Sequence, residues 1–292
     1  MLPQPSTISL KTILCPVDFS EQSKMIVTHA IKVSDIWRSE ILALNTVDDN
    51  APEYTLYRNS EKEIQTLRKT IEQDSQKRLQ SQLSPLLSGI QSSLLTSFGK
   101  ATDAIPKVCK EKNVGLMMMS TRSKAATGGQ FILGSTTYKM IRTAPCPVMI
   151  FSRPEVKFSP SKILFPTDFS EISYQALPYV YRFAKYFDAE IHLVHFKPLT
   201  AQPTEKDPLT LLDMIRKQAG AAFGLRKVVV NEDLKGLTAG LAISKYSKDN
   251  SIDLVILSAH GASGYKQFFM GTTAVEVSSR CVCPVLVIRK SE

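Results

Sequence analysis

The sequence predicts an α/β protein of two tandem doubly wound parallel-sheet domains, and three observations carry that expectation. The first is a repeat: Lys11-Thr-Ile-Leu-Cys-Pro-Val-Asp-Phe-Ser-Glu21 returns as Ser161-Lys-Ile-Leu-Phe-Pro-Thr-Asp-Phe-Ser-Glu171. Ala144-Pro-Cys-Pro-Val-Met-Ile150 likewise returns as Cys281-Val-Cys-Pro-Val-Leu-Val287, so one pattern is written twice. The second is alternation within each half, short β-branched apolar runs of strand length taking turns with helix-period segments. The third is Ile252-Asp-Leu-Val-Ile-Leu-Ser258, which leads through a glycine-containing loop into a helix start at Thr272.

A chain of 292 residues suits two domains, expected at 1–152 and 153–292. The segment Ser152-Arg-Pro-Glu-Val-Lys-Phe-Ser-Pro160 reads as the linker. In the first half, strands are expected near 12–17, 41–47, 90–97, 114–120 and 147–151, and helices near 21–37, 60–83, 102–112 and 135–143. In the second half, strands fall near 162–167, 190–196, 226–230, 253–258 and 284–289. Its helices fall near 171–187, 208–222, 237–249 and 272–280. The 171–187 segment keeps Ile172, Ala176, Tyr179, Val180, Phe183 and Phe187 on one helical face, with Pro178 inside it. The second half is shorter, and the difference falls in the second crossover: 52–88 is longer and more charged than 198–222. Ile64, Leu67, Ile71, Leu79 and Leu83 give that crossover an amphipathic helix, whose outer face reads as solvated before it reads as a docking surface. Such alternation implies a parallel sheet covered on both faces, with any ligand at the carboxyl ends of the strands.

The net charge of +9 is spread evenly over both halves, with no basic tail or block. No zinc-finger, RNA-recognition or helix-turn-helix signature accompanies it, so no nucleic-acid partner is expected. No apolar run reaches a membrane span, and Met1-Leu-Pro-Gln-Pro-Ser6 lacks the basic and apolar regions of a signal peptide. The expectation is a cytoplasmic protein without a membrane partner. Its five cysteines are expected as free thiols. Cys146 and Cys283, each before a proline at a last strand, read as small buried apolar residues rather than nucleophiles. His192 and His195 lie three apart on a strand and point to opposite faces, which argues against a shared metal. No catalytic constellation stands out, and no catalytic or metal-ligating residue is assigned.

The loop carries the chemistry. A strand ending at Leu257 and Ser258 runs through His260 and Gly261 to Gly271, Thr272 and Thr273 at a helix start. Free first-turn amides and the positive helix end attract anions, and glycines let a phosphate approach the backbone. Written Ser258-x2-Gly261-x9-Gly271-Thr272, the loop resembles the Gly-x2-Gly-x9-Gly-Ser/Thr loop of the universal stress proteins, with serine for the first glycine. The resemblance extends over nearly the whole chain, and it implies Rossmann-like domains related to the adenine-nucleotide alpha-hydrolases. It implies that Pro166 and Thr167 line an adenine pocket, that Asp168 contacts the nucleoside, and that Phe196 packs on the base, where the first half has Thr46. Asp168 and its counterpart Asp18 also read as helix-cap residues. The ligand implied is ATP, or AMP or ADP, with or without Mg2+.

The first-half loop departs from the pattern. Ser120 and Ser123 replace the first two glycines, and ten residues rather than nine precede Gly134. Nucleotide is therefore expected in the second half. The resemblance also implies that the last strands pair the halves as an intrachain pseudo-dimer; a homodimer of the whole chain and a protein partner are left open. The function that the resemblance implies is a nucleotide-binding regulator of stress adaptation rather than an enzyme. The alternatives are a scaffold of the same fold that binds no nucleotide, and a slow ATPase.

Overall fold

The computed structural model describes residues 8, 10–48, 61–121, 133–153, 155–168, 170–197, 227–233, 237–259 and 272–289. The first half runs β1 (Thr12–Pro16), α1 (Glu21–Trp37), β2 (Glu40–Val47), α2 (Glu61–Leu83), β3 (Ser92–Phe98), α3 (Ala101–Glu111), β4 (Leu116–Ser120), α4 (Ser135–Thr143) and β5 (Val148–Phe151). The second half runs β6 (Lys162–Pro166), α5 (Glu171–Tyr174), α6 (Leu177–Phe187), β7 (Glu190–Lys197), β8 (Lys227–Asp233), α7 (Ala239–Asp249), β9 (Leu254–Ser258), α8 (Thr272–Arg280) and β10 (Val285–Ile288). The helix expected at 208–222 lies outside the described residues.

All ten strands join one sheet in the order β3-β2-β1-β4-β5-β10-β9-β6-β7-β8. Within each half every pairing is parallel. At the centre β5 and β10 run antiparallel, with Ile150 opposite Val285, Met149 opposite Leu286 and Val148 opposite Val287. The last strands thus pair the two halves edge to edge. Strand order reverses between β1 and β4 and again between β6 and β9. Those are the switch points where an open α/β sheet parts its flanking helices.

The inner strands β1, β4, β5, β6, β9 and β10 are buried on both faces, which is why they read as apolar runs. Ile13, Cys15, Met118, Phe151, Phe165 and Ile256 face one layer, packed with residues of α1, α2 and α6. Leu14, Leu44, Met117, Ile150, Leu164 and Val255 face the other, with α3, α4, α7 and α8. Across the junction Trp37 of α1 meets Phe183 of α6 edge to face at 5.2 Å. Phe158 of the linker packs against Phe151, Phe183 and Phe187. Among the described residues no helix is long and apolar enough to cross a membrane.

The segment expected as one helix at 171–187 is two. α5 closes after one turn, Gln175 and Ala176 form a turn, and α6 begins at Leu177 with Pro178 in its first turn. There the missing proline N–H would have had no intrahelical acceptor, so the residue costs nothing that its helix needs. In α2 the predicted stripe is present, with Leu79 and Leu83 fully buried. The stripe also holds a polar member, Ser75, 7% exposed.

Candidate functional site

Both halves leave their first strand by the same hydrogen-bonded turn. Asp18 Oδ1 accepts from the Ser20 amide at 3.1 Å and the Ser20 hydroxyl at 2.5 Å. Ser20 Oγ then accepts from the Ser23 amide at 3.2 Å and caps α1. In the second half Asp168 Oδ1 accepts from the Ser170 amide at 3.0 Å and its hydroxyl at 2.7 Å, and Ser170 Oγ accepts from the Ser173 amide at 3.1 Å. The serines are therefore the caps, and the aspartates hold the caps from outside the helix.

Behind each aspartate a side chain of the second strand grips the backbone. Asn45 Nδ2 donates to the Val17 carbonyl at 2.8 Å, and His195 Nδ1 lies 2.8 Å from the Thr167 carbonyl. The first half extends this grip inward. Ser75 of α2 donates to Asn45 Oδ1 at 2.9 Å, and its oxygen lies 2.8 Å from Thr96 Oγ1 on β3. This buried polar chain ties α2 to the backbone beside Asp18. Sequence reasoning missed it because its members lie 20–30 residues apart; the one available signal was a serine in an apolar stripe.

At the first switch point the ends of β1, β2 and β4 enclose a cavity of about 450 Å³. Asp18, Asn45, Thr46 and Ser120 line it, and Gly134 to Thr137 close it at the start of α4. Among the described residues no side-chain hydrogen bond caps α4, and Thr137 Oγ1 donates to the Ser120 carbonyl at 3.1 Å. The cavity therefore has a carboxylate at one side and a helix N-terminus at another. Such a space accepts hydroxyl or amine donors near Asp18 and an anionic group near α4. Its volume falls in the range of roughly 300–1,000 Å³ usual for small-molecule sites.

In the second half the predicted residues divide. Pro166, Thr167 and Asp168 lie at the end of β6, and Leu257 and Ser258 end β9, its hydrogen-bonded neighbour. Thr167 is buried, its amide donating to Val194 at 2.9 Å and its hydroxyl lying 3.0 Å from Ser173 Oγ. Phe196 sits near the end of β7, in register with Glu232 of β8. Thr272 and Thr273 open α8. These residues share the carboxyl edge of the second half. His260, Gly261 and Gly271 lie outside the described residues, as does Ser123 of the first-half loop. Burial, and then the negative charge of Asp168, push the Tyr174 phenol above its ordinary pKa.

The two histidines have separate partners. His192, buried, lies 2.9 Å through Nδ1 from the Tyr246 hydroxyl and 3.1 Å through Nε2 from Glu190 Oε1. Among the described residues no group of three or more His, Cys, Asp or Glu side chains is placed to hold a metal ion.

The sequence profile of the Universal stress protein family matches residues 9–152 and again 160–289. Universal stress protein MJ0531 of Methanocaldococcus jannaschii is 29% identical over 142 residues, spanning 44% of this chain and 82% of that protein. Universal stress protein Slr1230 of Synechocystis is 26% identical over 179 residues, 60% of this chain and 58% of its own length. A universal stress protein structure from Archaeoglobus fulgidus superposes with a TM-score of 0.69 at 20% identity, covering 97% of this chain and 99% of that one. At that identity the superposition speaks for the fold alone. Two matches of the family profile, in register with the internal repeat, show that the chain belongs to the universal stress protein family and carries two such domains in tandem.

Proposed function

We propose that this tandem universal stress protein is a stress-response regulator that binds ATP, or AMP or ADP, with or without Mg2+, in its second half. One observation carries the reading. The carboxyl ends of β6, β7 and β9 converge beside the start of α8, so that Asp168, Phe196, Ser258 and Thr272 share one edge of the sheet. The loop spacing Ser258-x2-Gly261-x9-Gly271-Thr272 joins the last two of these. Asp168 would accept from the sugar or base, and the loop amides with the α8 N-terminus would take the phosphates. The test is calorimetric titration of the full chain with ATP. Asp168→Ala is expected to weaken binding about tenfold or more, the size of one charge-assisted hydrogen bond. Unchanged affinity in that variant would remove Asp168 from the site.

The first-half cavity favours a second reading, in which both halves bind. It holds the matching carboxylate, Asp18, and an uncapped helix start at Gly134. Thr46 offers a base less apolar surface than Phe196 would, so this site would be the weaker. The titration separates the two readings. One stoichiometric site abolished by Asp168→Ala supports the first; a second, weaker site lost in Asp18→Ala supports the second. No heat and no nucleotide released on denaturation would leave the scaffold alternative.

A further inference from the structure

Cys281 and Cys283 stand two apart in the turn between α8 and β10, and Val282 between them is 43% exposed. The turn is therefore at the surface, yet both cysteines are buried, at 2% and 8%. Both side chains turn inward onto α7. Ser247 Oγ lies 3.6 Å from Cys281 Sγ and 3.9 Å from Cys283 Sγ. Cys281 Sγ donates to Ser244 Oγ at 3.7 Å, and Ser244 in turn donates to the Gly240 carbonyl at 2.7 Å. The two sulfurs share the Ser247 hydroxyl as a neighbour. Two sulfurs and two hydroxyls thus form one cluster beneath a surface turn, apart from the nucleotide-site edge.

The other cysteines show how unusual these surroundings are. Cys15 sits in β1 among apolar side chains, and burial pushes its thiol up to about 12. Cys146 is a free thiol whose neighbour Cys109, and then burial, raise its pKa. In the repeat Ala144 stands where Cys281 does, so the first half has no equivalent pair. At Cys281 the balance reverses. The neighbouring Cys283, and then the Ser247 hydroxyl, lower its pKa despite burial. Cys281 in turn, with burial, raises the pKa of the Cys283 thiol.

We propose that Cys281 and Cys283 form an oxidisable pair, a modification site at which a hydroperoxide converts the two thiols into an intrachain disulfide. The Cys281 thiolate attacks the peroxide oxygen. An S–O bond forms, the O–O bond breaks, and the leaving oxygen departs as water or alcohol once protonated. The Cys283 sulfur then attacks the Cys281 sulfenic acid. An S–S bond forms, the S–O bond breaks, and the Cys283 proton leaves with the hydroxyl as water. Two thiols and one hydroperoxide give one disulfide, with the peroxide reduced. The chain bends at Val282 and Cys283. A bend brings Cα atoms two apart below the roughly 7 Å of an extended chain, within the span of a disulfide.

Trypsin makes the test direct, because cleavage after Arg280 and Arg289 isolates a peptide with both cysteines and no other. The full-length chain is treated with near-stoichiometric hydrogen peroxide, quenched, denatured, alkylated and digested. The expected 281–289 peptide is lighter by two hydrogens and carries no alkyl group, while Cys15, Cys109 and Cys146 are alkylated. Cys283→Ser should stop at a dimedone-trapped sulfenic acid on Cys281, and Cys281→Ser should give no dimedone adduct at Cys283. A 281–289 peptide still reduced when methionines have begun to oxidise overturns the proposal. So does prior oxidation of the other three cysteines, or dimedone on Cys283 in Cys281→Ser. The wild-type peptide decides even if either variant fails to fold.

Discussion

Asn45 and His195 occupy equivalent positions in the repeat, and each side chain bonds to the carbonyl one residue before its aspartate, at 2.8 Å in both halves. A carbonyl only accepts, so His195 carries its proton on Nδ1. Asn45 bears the larger structural burden, because Ser75 donates to its other amide atom. Asn45→Ala should leave the Val17 carbonyl and the Ser75 hydroxyl without that partner, and cost about 1–3 kcal/mol in urea unfolding. Thr96→Val removes the outer member of the chain, which bonds to Ser75 alone within it, and should cost less. Equal, near-zero costs would dissolve the network as a structural unit.

The first-turn caps make a second prediction. Ser20→Ala and Ser170→Ala should each cost about 1 kcal/mol in chemical denaturation. Asp18→Ala and Asp168→Ala remove only the acceptor that steadies the cap, and should cost less than the matching serine variant. If the aspartate variants prove the more destabilising, the carboxylates are the caps and the assignment is inverted.

Gly240 makes the third. A Cβ there would meet Glu276 Oε2 too closely and lie 2.8 Å from Glu276 Cβ, where α8 crosses the start of α7. The same carboxylate oxygen accepts from Thr238 Oγ1 at 2.8 Å. Gly240→Ala should therefore destabilise by about 1–3 kcal/mol, although alanine is the better helix former by up to about 1 kcal/mol. Glu276→Ala in the same chain should relieve only part of that, since its own Cβ remains. A stabilised Gly240→Ala, seen as a higher Tm, would contradict the packing.

Asp103 and Lys139 join α3 to α4 at 2.8 Å. The Lys139 hydrogen bond, and then its charge, hold Asp103 below its ordinary value of 3.8. A carboxylate lowered by folding adds stability above its unfolded pKa, and that part is lost as pH falls through the lowered folded value. The pair is exposed, so its share of stability is small. An NMR titration should place the Asp103 midpoint below 3.8 in the native chain. Lys139→Met, or high salt, should move the midpoint up. An unmoved midpoint would show that the pair does not act in solution.

The fold was legible where a residue pattern repeats. Asp18 and Asp168, with the strands before them, mark both domains, and local hydrophobic periodicity sets most elements within a few residues. The 171–187 segment misled because its apolar face continues through Gln175 and Ala176 while the backbone turns. Periodicity records which face is buried, and it is blind to a break that keeps the face. Pro178 was the available sign, read as a cost inside one helix when it marks the start of another. Of the residues proposed for the site, those at strand ends and at the start of α8 were legible as positions in the fold. The Asn45–Ser75–Thr96 chain and the Cys281–Cys283–Ser247 cluster are meetings of residues from separate elements, and residue spacing carries no trace of them. Cys146 and Cys283 read as buried apolar residues and are buried; that Ser244 and Ser247 of α7 stand beside Cys281 is what their sequence neighbours could not show.

The antiparallel seam between β5 and β10 has a directional consequence. Each half runs its strands one way, and the seam reverses that way at mid-sheet. The carboxyl ends of the first five strands therefore open toward one pole of the molecule, and those of the last five toward the other. A ligand at Asp18 and a ligand at Asp168 would never share a vestibule, compete for the same lid or be bridged by one small molecule. A partner protein that covers one opening leaves the other in solvent. Among the described residues the halves touch across the Ile150–Val285 and Met149–Leu286 pairs and through the aromatic packing of Trp37 and Phe158. They also touch where α8 meets α4 and where Arg289 donates to the Ile141 carbonyl, and all these contacts can carry an influence of one occupied half on the other.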